Sequence, residues 1–349
     1  MTVHHSGLNN VNKRFILPAL LLVLGAILPL SVQAQEGGVN TATPTRLATN
    51  TRPAPTTPTA TFTPFPTFTP APTQISTLIP GAFGGDAATW TPPPPANIYD
   101  GHFLFRRPFS EDQITYWARS YSYGSTSLGS LRVHHGLDFP NPGGTAILAA
   151  ADGVVYYAGQ DVERLFGPQP DFYGTLVVIE HPFMYASGLK IYTLYGHMRE
   201  VSVQTGDAVT AGEIIGYVGS SGVAAGAHLH FEVRIGEPEN YSATRNPELW
   251  LQPYPNTGVV IGRVLDTLGK PLEAVMVEIK SPGVYFQAWT YSGFSVNGDL
   301  QWNENFVIPD APAGYHTITI TGADNLIRYR NTIYVEPGKV TFVTANIQP

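Results

Sequence analysis

The 349-residue chain has no cysteine, which excludes disulfides, thiol catalysis, iron–sulfur clusters, Cys-ligated zinc and a lipidated N-terminal cysteine. Any metal must be held by histidine and carboxylate. Charge is scarce as well: 13% of residues are charged, about half the share of an ordinary globular chain. The 19 basic and 26 acidic residues leave a net charge of -7, which gives no electrostatic footing for nucleic acid. Long apolar runs are nearly missing too, and only one, from Phe15 to about Val32, approaches bilayer length. What abounds is glycine and proline, 35 and 31 residues, the punctuation of turns and of unstructured tracts.

Lys13 and Arg14 precede the apolar run, and Val32-Gln33-Ala34 supplies the small residues a signal peptidase needs before its cut. Residues 1–34 therefore read as a cleaved signal peptide, with an uncleaved anchor as the alternative and no other membrane span. Thr and Pro make up about half of the stretch from Thr41 to Pro95. Such a composition cannot bury enough surface to offset its ordering entropy, so residues 35–96 are expected to be a disordered spacer.

Beyond the spacer, short β-branched and aromatic runs alternate with Gly, Pro, Asn and Asp: Ala146–Ala150, Gly153–Ala158, Leu176–Glu180, Ile191–Tyr195, Ile214–Val218 and His228–Ile235. The spacing predicts an all-β domain over 97–252. The one helical pattern of any length is Glu111–Ser120, and Asn246–Leu251 reads as a single closing turn.

Six of the ten histidines lie between 134 and 230. Ala227-His228-Leu229-His230-Phe231-Glu232-Val233-Arg234-Ile235 alternates throughout, so Leu229, Phe231, Val233 and Ile235 face one side and His228, His230, Glu232 and Arg234 the other. Two imidazoles then stand roughly 7 Å apart along one strand face. Alone, such a pair reads as a solvated strand face. It has company in His134-His135-Gly136-Leu137-Asp138, where Gly136 and the following Pro140 argue for a loop entering a strand rather than a helix. Zinc takes N and O ligands, three from the protein at a catalytic site, and His134, Asp138 and one of the two strand histidines make such a set. His197, after the apolar strand ending in Tyr195-Gly196, is a further candidate for a group beside the metal.

These motifs fall in a familiar order. The H-x-G-x-D of His134–Asp138, the run Gly143–Val155, Tyr195-Gly196-His197, Gly206–Gly216 and the H-L-H-F-E of His228–Glu232 resemble the LytM/lysostaphin-type zinc metallopeptidases, family M23. The resemblance covers about Tyr121 to Ile235. It implies an antiparallel β fold with a long groove and one zinc held by His134, Asp138 and His230. His228 and His197 match the non-ligand histidines, one as general base and one steadying the oxyanion, with His228 assigned the first role and His197 the second although the two are exchangeable. His135 and His181 match no ligand position and are expected as supporting or surface residues. The chain departs from the pattern upstream of His134, where a common Gly-x-Arg stretch reads Tyr121-Ser122-Tyr123-Gly124-Ser125-Thr126.

After the hinge Tyr254–Thr257, the runs Val259–Leu265, Pro271–Ile279, Asn305–Ile308, His316–Thr321, Thr332–Val335 and Val340–Ile347 predict a β-sandwich over 257–349. Its turns at Gly262–Leu272 and Pro312–Thr317 resemble carboxypeptidase regulatory-like, or prealbumin-like, domains. It carries no ligand cluster, and its central aromatics Tyr285, Phe286, Trp289, Tyr291 and Trp302 are expected to serve as core. The whole reads as an exported zinc metalloendopeptidase that hydrolyses peptidoglycan peptides and is secreted or held at the cell envelope, with an accessory domain for a wall or surface ligand. The alternative is a wall-binding or regulatory protein that keeps the fold with little turnover. Since every proposed catalytic group lies within 97–252, that part is expected to act alone.

Overall fold

In the computed structural model the described residues are 97–348 apart from Ala186, Ser187 and Phe294. The export signal, its anchor alternative and the spacer lie outside the described residues. Among the described residues no helix is long and apolar enough to cross a membrane.

The first half contributes β1 (Ile98–Asp100), β2 (Leu137–Phe139), β3 (Ala146–Leu148), β4 (Gly153–Gln160), β5 (Thr175–Met184), β6 (Lys190–Val201), β7 (Ala208–Val209), β8 (Ile214–Val218), β9 (Leu229–Ile235) and β10 (Thr244–Arg245). All but β1 join one nine-stranded sheet whose spine runs β10-β9-β6-β5-β4-β7, with β2 on β9 and β8 bridging β3 to β6. Every pairing in it is antiparallel. Leu229, Phe231 and Val233 of β9 face the main apolar core together with Leu137 and Phe139 of β2, as the alternation requires.

The helix expected over 111–120 does not form. Its backbone groups are taken by side chains from elsewhere: Asn141 both accepts from the Ile114 amide and donates to the Ile114 carbonyl, and Arg107 donates to the Thr115 carbonyl. Only a 3-10 turn remains, at Arg119–Tyr121. The closing turn is present as Pro247–Leu249, with the Asn246 side chain accepting from the Glu248 amide.

The C-terminal part holds β11 (Thr257–Leu265), β12 (Met276–Ser281), β13 (Val284–Trp289), β14 (Phe306–Pro312), β15 (Gly314–Thr321), β16 (Ile327–Val335) and β17 (Lys339–Asn346). They form two four-stranded sheets, β1-β17-β11-β14 and β13-β12-β15-β16. Val260, Phe306 and Val343 of the first sheet and Val277, Ile279, Ile318 and Ile320 of the second bury one common cluster. β13, absent from the sequence reading, is the second arm of a hairpin turned by Pro282-Gly283, where Gly283 takes φ 75. Only glycine adopts that conformation at no steric cost.

The two halves share a core. β1 lies in a sheet of the C-terminal part, paired with β17. Trp302, 3% exposed, packs on Tyr99 and Phe342 within the same cluster as Phe139 and Phe231. Tyr291 is buried in that cluster as well, whereas Tyr285 is 53% exposed and lies outside it. The Arg107 guanidinium donates to Asp310 at 2.7 Å and stacks between the Trp117 and Tyr254 rings. Cutting such a buried pair costs about 3–5 kcal/mol. A fragment 97–252 is therefore expected to lack a cooperative thermal transition, while 97–349 melts as one unit. Calorimetry of both checks this, and a sharp transition in the shorter fragment would contradict it.

Candidate metal centre

Strand register builds the site. β2 pairs with β9 so that Asp138 sits directly opposite His230, and on the other flank of β9 Gly196 pairs with His230 just before His197. His228 enters from the residue preceding β9, bridged to Gly219. The loop into β2 swings His134 back over Asp138. That return needs Gly136, because a Cβ there would stand 2.5 Å from the Phe231 carbonyl oxygen and 2.8 Å from the His230 ring.

One atom from each of three residues converges. His134 Nε2 lies 3.1 Å from Asp138 Oδ1 and 3.2 Å from His230 Nδ1, and His230 Nδ1 lies 2.9 Å from Asp138 Oδ1. Four donors placed tetrahedrally around zinc at its usual bond lengths stand about 3.3 Å apart. Three nitrogen and oxygen atoms at that spacing fit the metal's donor set and geometry, and among the described residues they form a group able to hold a metal ion. Sulfur ligands are not needed.

Each imidazole is turned by a partner on its far side. His134 Nδ1 donates to the Tyr121 carbonyl at 2.6 Å, and the ring stacks on Tyr121 at 4.2 Å. His230 Nε2 donates to Glu232 Oε1 at 3.0 Å. His197 Nδ1 donates to the Ser221 carbonyl at 2.8 Å and His228 Nδ1 to the Gly226 carbonyl at 2.9 Å. These bonds occupy the outer nitrogen of each ring and leave the other nitrogen facing the centre. The His197 and His228 rings are 4.8 Å apart, and His228 Nε2 is 3.6 Å from Asp138 Oδ1. His197 holds φ 61, and its amide donates to the Tyr173 carbonyl.

The electrostatics follow the burial. Burial alone would raise the Asp138 carboxyl, but His134 and His230 outweigh it and hold it well below the ordinary carboxylate range. Burial likewise works to lower His230, yet Asp138 and Glu232 on its two sides carry it up to about 9. His197 is pushed down to about 3 by burial, with His230 and His228 adding to the effect. It is a neutral base at neutral pH.

The structure brings all five predicted residues together. Sequence reasoning did not foresee how the polar face of β9 is completed. Glu232 and Arg234 are fully buried rather than solvated. Arg234 Nε donates to Glu232 Oε2 at 2.7 Å, and Tyr173 donates to Glu232 Oε1 at 2.5 Å. Burial would raise Glu232, but Arg234 and His230 bring it down to about 2. The strand alternation had already grouped Glu232 and Arg234 with the histidines; Tyr173, from the loop before β5, left no sequence signal. His135 and His181 point away from the centre and are both interior. His135 bonds the Tyr241 carbonyl and Ser295, and His181 bonds the Asp152 carbonyl and Thr193. Neither is a surface residue.

A His, Asp, His donor set on an antiparallel β-sheet, with two more imidazoles standing beside it, fits the three-ligand arrangement of a catalytic zinc site. Residues 132–243 match the model of peptidase family M23. Over 114 residues it is 42% identical to the DD-carboxypeptidase/endopeptidase Mpg of Neisseria meningitidis serogroup B, covering 32% of this chain and 23% of that protein. Over 107 residues it is 36% identical to the peptidoglycan DD-endopeptidase ShyC of Vibrio cholerae, covering 31% and 21%. The chain thus spans less than a quarter of the length of these relatives. Among solved structures, the catalytic domain of the antimicrobial peptidase lysostaphin of Staphylococcus simulans is 28% identical with a TM-score of 0.30, covering 38% of this chain and 89% of that one.

Glu232→Gln keeps the shape of the side chain while removing the charge that orients His230. Loss of such a partner typically costs about 10–100-fold in metal affinity. Competition with a chelating dye is expected to give a zinc affinity lower by that order. An unchanged affinity in a folded Glu232→Gln protein would contradict the role given to Glu232.

Proposed function

We propose that the chain is an exported zinc metalloendopeptidase that hydrolyses peptide bonds in the stem or cross-link peptides of bacterial peptidoglycan. The observation that carries the reading is the set of four imidazoles around Asp138, each bonded outward through one nitrogen and so turned to bring the other towards the centre. That order has no use in a solvated strand face. The similarity to enzymes named as peptidoglycan endopeptidases supports the substrate class, and such a substrate puts the domain outside the cytoplasm, in the periplasm or at the cell envelope. In this reading residues 97–252 carry the chemistry, and 257–349 form an accessory part for a wall or surface ligand.

His134, Asp138 and His230 hold one zinc. When bound, the metal supplies a Lewis acid that polarises the scissile carbonyl and brings the pKa of a water towards 7. His228 is the general base. Its side chain is 17% exposed, so a proton taken at Nε2 has a path to the leaving amine and to solvent. His197 is buried and neutral, with Nδ1–H committed to the Ser221 carbonyl, and its Nε2 accepts a hydrogen bond from the attacking water. In this reading it orients that water rather than donating to an oxyanion. Asp138, held well below the ordinary carboxylate range by His134 and His230, is ionised at neutral pH and so available as a ligand.

Two variants separate the roles. His230→Ala removes a ligand and is expected to lose both zinc and activity. His228→Ala is expected to keep stoichiometric zinc while turnover falls about 10²–10⁴-fold, the usual contribution of a general acid–base group. Zinc content measured beside cleavage rate decides, and zinc lost from His228→Ala but kept in His230→Ala would reverse the assignment. Mass spectrometry of soluble products from defined peptidoglycan, with and without a chelator, tests the function itself. Intact substrate after incubation with zinc-loaded protein would leave a wall-binding role in its place.

A further inference from the structure

The loop that presents His134 is held from the C-terminal part. Gly124 and Ser125 close its base on His134, the Gly124 amide donating to the His134 carbonyl at 2.8 Å and the His134 amide to the Ser125 carbonyl at 2.9 Å. Gly124 is in turn fixed from the other half, because the Ser292 amide donates to its carbonyl at 2.8 Å. A Cβ on Gly124, which has φ 75, would stand 2.5 Å from the Tyr291 ring. On one side of His134 in sequence, the buried Tyr123 hydroxyl donates to the Thr244 carbonyl and meets the Asn297 backbone, every contact at 3.0 Å. On the other side, His135 Nδ1 donates to the Tyr241 carbonyl at 3.0 Å, and its Nε2 accepts from the Ser295 hydroxyl at 2.9 Å. Asn297 reaches further, donating to the Ser242 carbonyl at 2.7 Å.

We infer that Ser292, Ser295 and Asn297 of the C-terminal part are positioning residues for the metal centre: they set the loop that carries His134. The inference rests on reading His134 as a zinc ligand. None of the three touches the metal or the substrate. They act through Gly124, Tyr123 and His135, the immediate neighbours of the Tyr121 carbonyl and the His134 backbone. The stretch Tyr121–Thr126, where the chain departs from the M23 pattern, is thus the stretch that the C-terminal part holds. The C-terminal part is then a structural member of the active site as well as an accessory.

The test uses the full chain and compares Ser295→Ala, Tyr123→Phe and their combination with the unaltered protein. The readouts are zinc affinity by chelator competition, kcat and KM on a soluble peptidoglycan fragment, and melting temperature. The double variant is expected to bind zinc about 10-fold more weakly, with kcat lowered, KM unchanged, and Ser295→Thr restoring the affinity lost in Ser295→Ala. Ile320→Val, in the core between the two C-terminal sheets, serves as control: it is expected to lower the melting temperature while zinc affinity stays that of the unaltered protein. Should the double variant fail to fold, the two single variants decide. Folded Ser295→Ala and Tyr123→Phe proteins with unaltered zinc affinity and kcat would overturn the inference. An unaltered protein that neither binds zinc nor cleaves would instead overturn the functional reading on which it rests.

Discussion

The candidate metal centre depends on a carboxylate outside its own donor set. Glu232 is buried between His230 and Arg234 with the Tyr173 hydroxyl on the same oxygen as His230. In that place it fixes the ring of His230, keeps the proton on Nε2 and leaves Nδ1 to converge with Asp138 and His134. An isolated buried charge would be untenable, and a pair of them stabilises the fold only when every lone pair is used. Here both carboxylate oxygens are taken, and Arg234 also donates to the Tyr173 hydroxyl and the Pro238 carbonyl. A site that must present bare nitrogen atoms in a defined direction is thus built on a saturated polar network beneath it.

Much of this was legible in the sequence because two periodicities coincide. Alternation along β9 gave both the apolar face and the order of its polar face, and the motif order tied His134 and Asp138 to it. The register that sets Asp138 opposite His230 was not legible, since pairing partners leave no trace in a single strand. Nor was the burial of Glu232 and Arg234, because a charged residue on a strand reads as exposed until the group covering it is known. Here that cover is Tyr173, remote in sequence. The failed helix at 111–120 has the same cause. Its backbone is claimed by Asn141 and Arg107, and tertiary hydrogen bonds of that kind override local propensity.

The division into two parts was the least readable feature. Turn-rich composition around Tyr254–Thr257 looks like a hinge between two parts. In space, Trp302 and Tyr291 complete the core that Phe139 and Phe231 begin. Composition reports where the chain bends, and it is silent about which apolar faces meet afterwards. The aromatic residues of 285–302 show the cost: some fill the shared core, while Tyr285 stays at the surface.

The pairing of β1 with β17 also has a bearing on time. Lys339 and Asp100 are 239 residues apart in sequence, yet their side chains are 2.6 Å apart. Contacts of such separation are the slowest to form, because the loop-closure entropy must be overcome before they contribute anything. The half that holds the histidines leaves the ribosome first and cannot close its core until β17 has been made. β1, near the start of the folded part, therefore waits for its partner until almost the whole chain has been made.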